Sequence, residues 1–301
     1  MQKLLYIALA SLLILTVGCG KEEYRKENFY SMGTFVTITL PEKNFDKAID
    51  IRAEIQQLEN RVKSSTETAN KIKDLKFTGI MAELMKYGEE YSAMTNGKFS
   101  VYAYTIAKLY GFHEGPYRIP SDDELVIAVQ KLKDRNDVLL DTGAYSKGYI
   151  VDKSIEYIKS LNIKNAMVNA GGDLYALGIK GNRKWRVAVK HPQEANKFLS
   201  VLNLQDKALA TSGDYERFFE QDGKRIFHIF DATTGKNPDM YTSVSVLADT
   251  AEKADGLATV FFLLSEDEIK TECKRFETPV LLYTRKNELK KLCGWESFEA
   301  N

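Results

Sequence analysis

From Gly33 to Leu40 the chain reads GTFVTITL, with Val36, Ile38 and Leu40 alternating against Thr37 and Thr39. A period of two belongs to a strand with one buried face. The period then changes: Ala48, Ile51, Ile55, Leu58 and Val62 step by three and four through a charged background, as do Ile80, Leu84, Tyr87, Tyr91 and Met94. Two amphipathic helices are expected there. Asn96 and Gly97 end the second, and Ser121 with Glu124 at capping-box spacing opens a third. VLL (138–140) reads as a strand leading into DTGAYSKGYIVD (141–152), and Ile150, Val151, Ile155, Ile158 and Leu161 carry a helix away from it. From residue 165 onward NAMVNAGGDLYALG, KWRVAVKHP, FLSVLNLQ, KALATSGDYERFF and KRIFHIFDATTG are short β-rich runs, with Asp222–Gly223 as a hairpin turn. SVSVLA (243–248) adds a strand, Asp249 with Glu252 caps the helix AEKADGLATVFFLL, and PVLLYT (279–284) is a late strand. Helices early and antiparallel strands late predict an α+β fold.

Composition narrows the partners. Across 301 residues, 42 Lys and Arg balance 42 Asp and Glu, so no summed field draws the chain to nucleic acid or an anionic surface. A partner is recognised locally. The first residues, MQKLLYIALASLLILTVGCG, have the layout of an export signal: one lysine, an apolar run from Leu4 to Val17, then small residues ending in a cysteine. Gly18, Cys19 and Gly20 look like a bacterial lipoprotein processing site, which makes 1–18 a signal peptide and Cys19 the lipidated residue. Residues 19–30 then read as a polar tether before a domain at 31–301. Such a protein is expected to be exported and membrane-anchored, facing the periplasm or the cell exterior. Cys273 and Cys293 remain, and spacing alone leaves both a disulfide and two free thiols open. Histidines at 113, 191 and 228 are too scattered for a zinc cluster.

Four stretches carry chemistry. In the 141–152 motif, Gly143 and Gly148 flank a turn where backbone amides can approach a ligand, and Lys147 adds a charge suited to phosphate. GAYSKG lacks P-loop spacing, and taken alone such a turn is more often a capped helix start. Gly171 and Gly172 fall where a strand should continue, which asks for a bulge or a close ligand approach. HIFDATTG (228–235) puts His228 and Asp231 on a strand running into a turn. In ADGLAT, Asp255 and Thr259 lie four apart, so their oxygens share one helix face and can hold a magnesium ion with its waters and a phosphate, while Ala254 and Ala258 permit close approach.

In this order the stretches SMGTFVTITL, NGKFSV, LDTGAYSKGYIVD, NAGGDLYALG, HIFDATTG and SVSVLADTAEKADGLATVFFLL, spanning about 31–264, resemble the ApbE family of magnesium-dependent FAD:protein FMN transferases. The resemblance implies a T-fold-related, two-lobed single domain. It implies that Met32 lines the FAD pocket, that Asp141 and Lys147 contact the dinucleotide, and that Ala144 gives its carbonyl to Mg²⁺ beside Asp255 and Thr259, with Ala258 close by. His228 and Ile229 would close over the diphosphate, and either His228 or a nearby carboxylate would take the hydroxyl proton, with His228 favoured because an imidazole titrates near neutrality. Gly171, Gly172 and Asp173 would shape the pocket. Phe99 matches the family, but Ser100 stands where an aspartate is usual, and the tyrosine and Ser-Glu pair expected after the first long helix are missing from VKSSTETANKIKDL. The implied partners are FAD and an exported redox protein carrying an acceptor threonine, with AMP released. Hydrolysis of FAD to FMN and AMP, or flavin carriage without chemistry, are the alternatives.

Overall fold

The computed structural model describes residues 22–72, 77–135 and 137–300. In chain order the first half contains β1 (Tyr24–Ser31), β2 (Thr34–Pro41), α1 (Ala48–Ile72), α2 (Gly79–Met94), α3 (Tyr104–Leu109), α4 (Asp122–Asp134) and α5 (Ser146–Ser160). Strands then dominate: β3 (Ala166–Ala170), β4 (Asp173–Leu177), β5 (Trp185–Lys190), β6 (Phe198–Leu204), β7 (Lys207–Gly213), β8 (Phe218–Gln221), β9 (Lys224–Phe227) and β10 (Tyr241–Ala248). The chain finishes with α6 (Ala251–Phe262), α7 (Glu266–Arg275), β11 (Val280–Thr284) and β12 (Leu289–Leu292). Eight strands form one sheet in the order β1-β2-β3-β4-β7-β10-β11-β12, with every pairing antiparallel. The fold class is α+β, as the pattern of elements predicts. Among the described residues no helix is long and apolar enough to cross a membrane; Cys19 and the leader lie outside them.

Strand parity divides the core in two. Val168 of β3, Ala208 and Ala210 of β7, Val244 and Val246 of β10 and Leu282 of β11 face α1, α2, α5 and α6. Leu174, Leu209, Leu247 and Leu281 point to the opposite face, where the β5–β6 hairpin covers them with Trp185, Leu202 and Leu204, and Trp295 completes the cluster. Both faces of β10 and β11 are therefore buried, which is why these strands read as unbroken apolar runs.

Several expectations need correction. Residues 24–30 are not a tether: Tyr24–Ser31 pairs along its whole length with β2, through a two-residue turn at Met32 and Gly33 with φ of 54° and 70°. VLL at 138–140 is not a strand, because the Asn70 side chain takes the place of a partner strand. Its Oδ1 accepts from the Leu140 N–H at 2.7 Å and its Nδ2 donates to the Leu140 carbonyl at 3.2 Å. The Gly171–Gly172 pair makes the tight turn between β3 and β4, with φ of 67° and 116°, rather than a bulge. His228 and Asp231 lie beyond β9, which ends at Phe227. Thr250, not Asp249, caps α6 and accepts from the Lys253 N–H at 3.3 Å, while Glu252 turns inward to Tyr91. Cys273 and Cys293 form a disulfide joining α7 to the residue after β12.

Candidate active site

The site grows from the packing of α5 against α6. Gly148, one turn into α5, has no room for a side chain, because a Cβ there would overlap the Ala251 carbonyl. The closeness is used twice. The Gly148 N–H donates to Asp255 Oδ2 at 2.9 Å, and the Asp152 carboxylate accepts from the Ala251 and Glu252 N–H groups at 2.7 and 2.9 Å, occupying the free amides at the start of α6. One turn after Asp255, the Thr259 hydroxyl lies 3.5 Å from the Ala144 carbonyl and 3.1 Å from Ser212 Oγ. The loop at 144 and the helical acid at 255 therefore open onto one cleft.

That cleft has a volume of about 1470 Å³, above the range of about 300–1,000 Å³ typical for drug-sized ligands. It takes Met32 from the β1–β2 turn, Phe99 and Ser100, Asp141, the two turn glycines, and His228 with Ile229. Asp141 is held by its own N–H donating to Val101 O at 2.7 Å and by Oδ1 accepting from the Gly143 N–H at 2.7 Å. Asp173 and Ala258 do not line the cleft. Asp173 is buried behind it and pairs with Lys147, whereas Ala258 is fully buried and lets α6 lie close.

Charge is concentrated here. Lys147 is hydrogen-bonded to Asp173 and lies 3.9 Å from Asp255 Oδ1. Burial acts to lower its pKa, but the Asp173 and Asp255 carboxylates outweigh burial and keep it a cation. Burial and then the Asp173 charge push the Asp255 carboxyl well up, against the pull of Lys147. Glu216, also on the cleft wall, is raised to about 7 by burial, with Lys147 opposing and Asp173 adding to the shift. Burial, and then the Arg217 charge, lower His228 to about 4, so the neutral titration expected from an ordinary imidazole does not hold. Its buried Nδ1 has no hydrogen-bond partner among the described residues.

Among the described residues no three His, Cys, Asp or Glu side chains gather as a metal cluster. One carboxylate, one hydroxyl and one backbone carbonyl meet instead. That donor set fits magnesium, which keeps several waters and takes few protein oxygens beside phosphate. An acid cluster that burial drives toward protonation also gains from a cation.

Pattern reading missed several cleft residues. Glu216 and Arg217 follow β7 in SGDYER, where an acid after Gly213 was the available signal. His113 stacks on Tyr104 with ring centroids 4.1 Å apart and approaches Asp141 at 3.4 Å. Nothing local announces that pairing.

Fold and site together define a dinucleotide-sized cleft floored by a helix acid and hydroxyl, an arrangement for handling a phosphate-bearing ligand. The ApbE family model matches residues 32–282, and the chain belongs to the ApbE family. It is 29% identical to the FAD:protein FMN transferase of Vibrio cholerae, over 97% of each chain. Its identity to the enzyme of that name from Haemophilus influenzae is 30%, over 69% of this chain and 66% of that one. The crystal structure of the ApbE protein from Thermotoga maritima superposes with a TM-score of 0.84 at 25% identity, covering 93% of this chain and all of that one.

Proposed function

We propose that this protein transfers FMN from FAD to a threonine hydroxyl of a target protein, releasing AMP, in a magnesium-dependent reaction. The observation that carries this reading is the meeting of Asp255, Thr259 and the Ala144 carbonyl at one cleft wall beside Lys147. The names of the relatives support flavin transfer to a protein acceptor. Asp255, Thr259 and Ala144 would hold the ion, which when bound supplies Lewis-acid polarisation of phosphoryl oxygens, worth several kcal/mol. Lys147 places a fixed cation where the diphosphate lies. The threonine oxygen forms a bond to the riboflavin-side phosphorus as the bond to the AMP oxygen breaks. Neutral His228, which lines the cleft, takes the hydroxyl proton. Positioning supplies most of the rest, as in other phosphoryl transfers.

Export and lipidation at Cys19 belong to the same reading, supported by the leader sequence and by a Cys273–Cys293 disulfide, which persists in an oxidising compartment. The test incubates the purified protein with FAD, Mg²⁺ and a candidate exported redox subunit. A fluorescent acceptor band in a denaturing gel is the expected result. Free FMN without a labelled band makes the protein a hydrolase, and intact FAD makes it a carrier.

A further inference from the structure

The β5–β6 hairpin forms a sheet of its own, and its two outer edges differ. Along β6 the C-terminal segment closes the edge: the Ala300 N–H donates to Val201 O at 2.7 Å, and Leu202 bridges to Glu299. Along β5, among the described residues, the only backbone hydrogen bonds are those to β6. This open edge faces the reaction cleft. Val187, Ala188, Val189 and Lys190 all line it, and a strand whose side chains alternate shows consecutive residues to one cavity only along its edge.

The solvent face of β5 has a definite charge. Trp185 and Val189 are buried in the core, while Lys184, Arg186, Ala188 and Lys190 are exposed on the opposite side. None of the three cations has an ion-pair partner among the described residues. Basic side chains on an open edge repel another basic strand, protect the edge from indiscriminate pairing, and admit an acidic one.

We propose that the acceptor protein docks an extended acidic segment as an added strand on the open edge of β5, which delivers its threonine into the cleft. The inference rests on the transferase reading and adds the recognition mode. Main-chain hydrogen bonds to β5 supply affinity, and Arg186, Lys190 and Lys184 select acidic side chains at alternate positions. Ala188, small and exposed between Arg186 and Lys190, leaves room for the incoming backbone.

The test uses the whole protein with FAD, Mg²⁺ and a pooled library of threonine-centred peptides with randomised flanks, read by flavin fluorescence and mass spectrometry. The labelled peptides are expected to be enriched in Asp and Glu at alternate positions. The double variant Lys184→Glu, Arg186→Glu, at two exposed cations outside the cleft lining, is expected to raise the KM for the best acidic peptide by about tenfold while the KM for FAD stays unchanged. N-methylation of that peptide at one parity of backbone positions should block labelling, and at the other parity should not. Labelled peptides without acidic enrichment, a KM indifferent to the double variant, or N-methyl effects without parity each overturn the inference and leave the transferase reading standing. Release of FMN to water with no peptide labelled, or absence of both products, removes the transferase reading and the inference along with it.

Discussion

At the scale of single residues, two buried titratable groups in or beside the site make measurable claims. A proton acceptor works only when deprotonated, so kcat/KM for FAD should rise with pH through the acceptor's pKa in the free protein. With His228 held at about 4 by burial and by Arg217, that limb is expected near pH 4, and His228→Ala should slow transfer by about 10²-fold with FAD binding nearly intact. A limb near pH 7 that disappears in Glu216→Gln would move the role to Glu216, whose carboxyl titrates at about 7. The second group is Glu252, buried under the site with its Oε1 accepting from the Tyr91 hydroxyl at 2.8 Å. Burial raises its pKa from 4.5 to about 8, so its protonated form is the one the fold prefers. That preference stabilises the fold fully below about pH 4.5 and is lost as pH rises through about 8. Glu252→Gln, which keeps an oxygen acceptor and cannot ionise, should match wild type in thermal melts at pH 4.5. Well above pH 8 it should melt about 8 °C higher, and equal melting there would show that Glu252 is solvated when charged.

At the scale of elements, the α5–α6 crossing does most to position the chemistry. Gly148→Ala puts a methyl group against the Ala251 carbonyl, so the helices must part. The expected cost is about 1–3 kcal/mol in stability, together with a higher Mg²⁺ requirement because the Asp255 carboxylate loses the amide that aims it. Melting curves and Mg²⁺ titrations of turnover check the two effects separately. The crossing also marks the limit of what pattern alone conveys. Asp255 and Thr259 were legible because four residues on a helix fix their shared face. The bond from Gly148 to Asp255 joins positions 107 apart in sequence, and no local spacing encodes it. VLL at 138–140 misled because an apolar run near a turn looks the same whether a strand or the Asn70 amide satisfies its backbone. Residues 24–30 read as tether because their charged side chains lie on an edge strand with one largely exposed face. The helix Glu266–Arg275 did have a signal, the Ser265–Glu268 capping box, identical in spacing to the one that located α4.

At the scale of the whole molecule, α7 and β12 are tied down covalently rather than by a large core. α7 buries only Ile269 and Cys273, and β12 is an edge strand with no fully buried residue. The disulfide between Cys273 and Cys293 closes a loop with a sequence separation of 20, and the constraint it places on the unfolded chain is worth about 3 kcal/mol. Spread over a domain of this size, that corresponds to about 5 °C in melting temperature. The double variant Cys273→Ala, Cys293→Ala is therefore expected to melt about 5 °C lower in non-reducing buffer. Wild type treated with reductant should fall toward the same value, while the variant should not respond to reductant at all. Because the cleft is built from α5, α6, β7 and the turns at 32 and 171, and the disulfide lies outside its lining, FAD binding at room temperature should be unaffected in the variant. A loss of FAD binding without heating would mean that the C-terminal staple reaches the cleft through β11 and β10, the strands that connect β12 to the centre of the sheet.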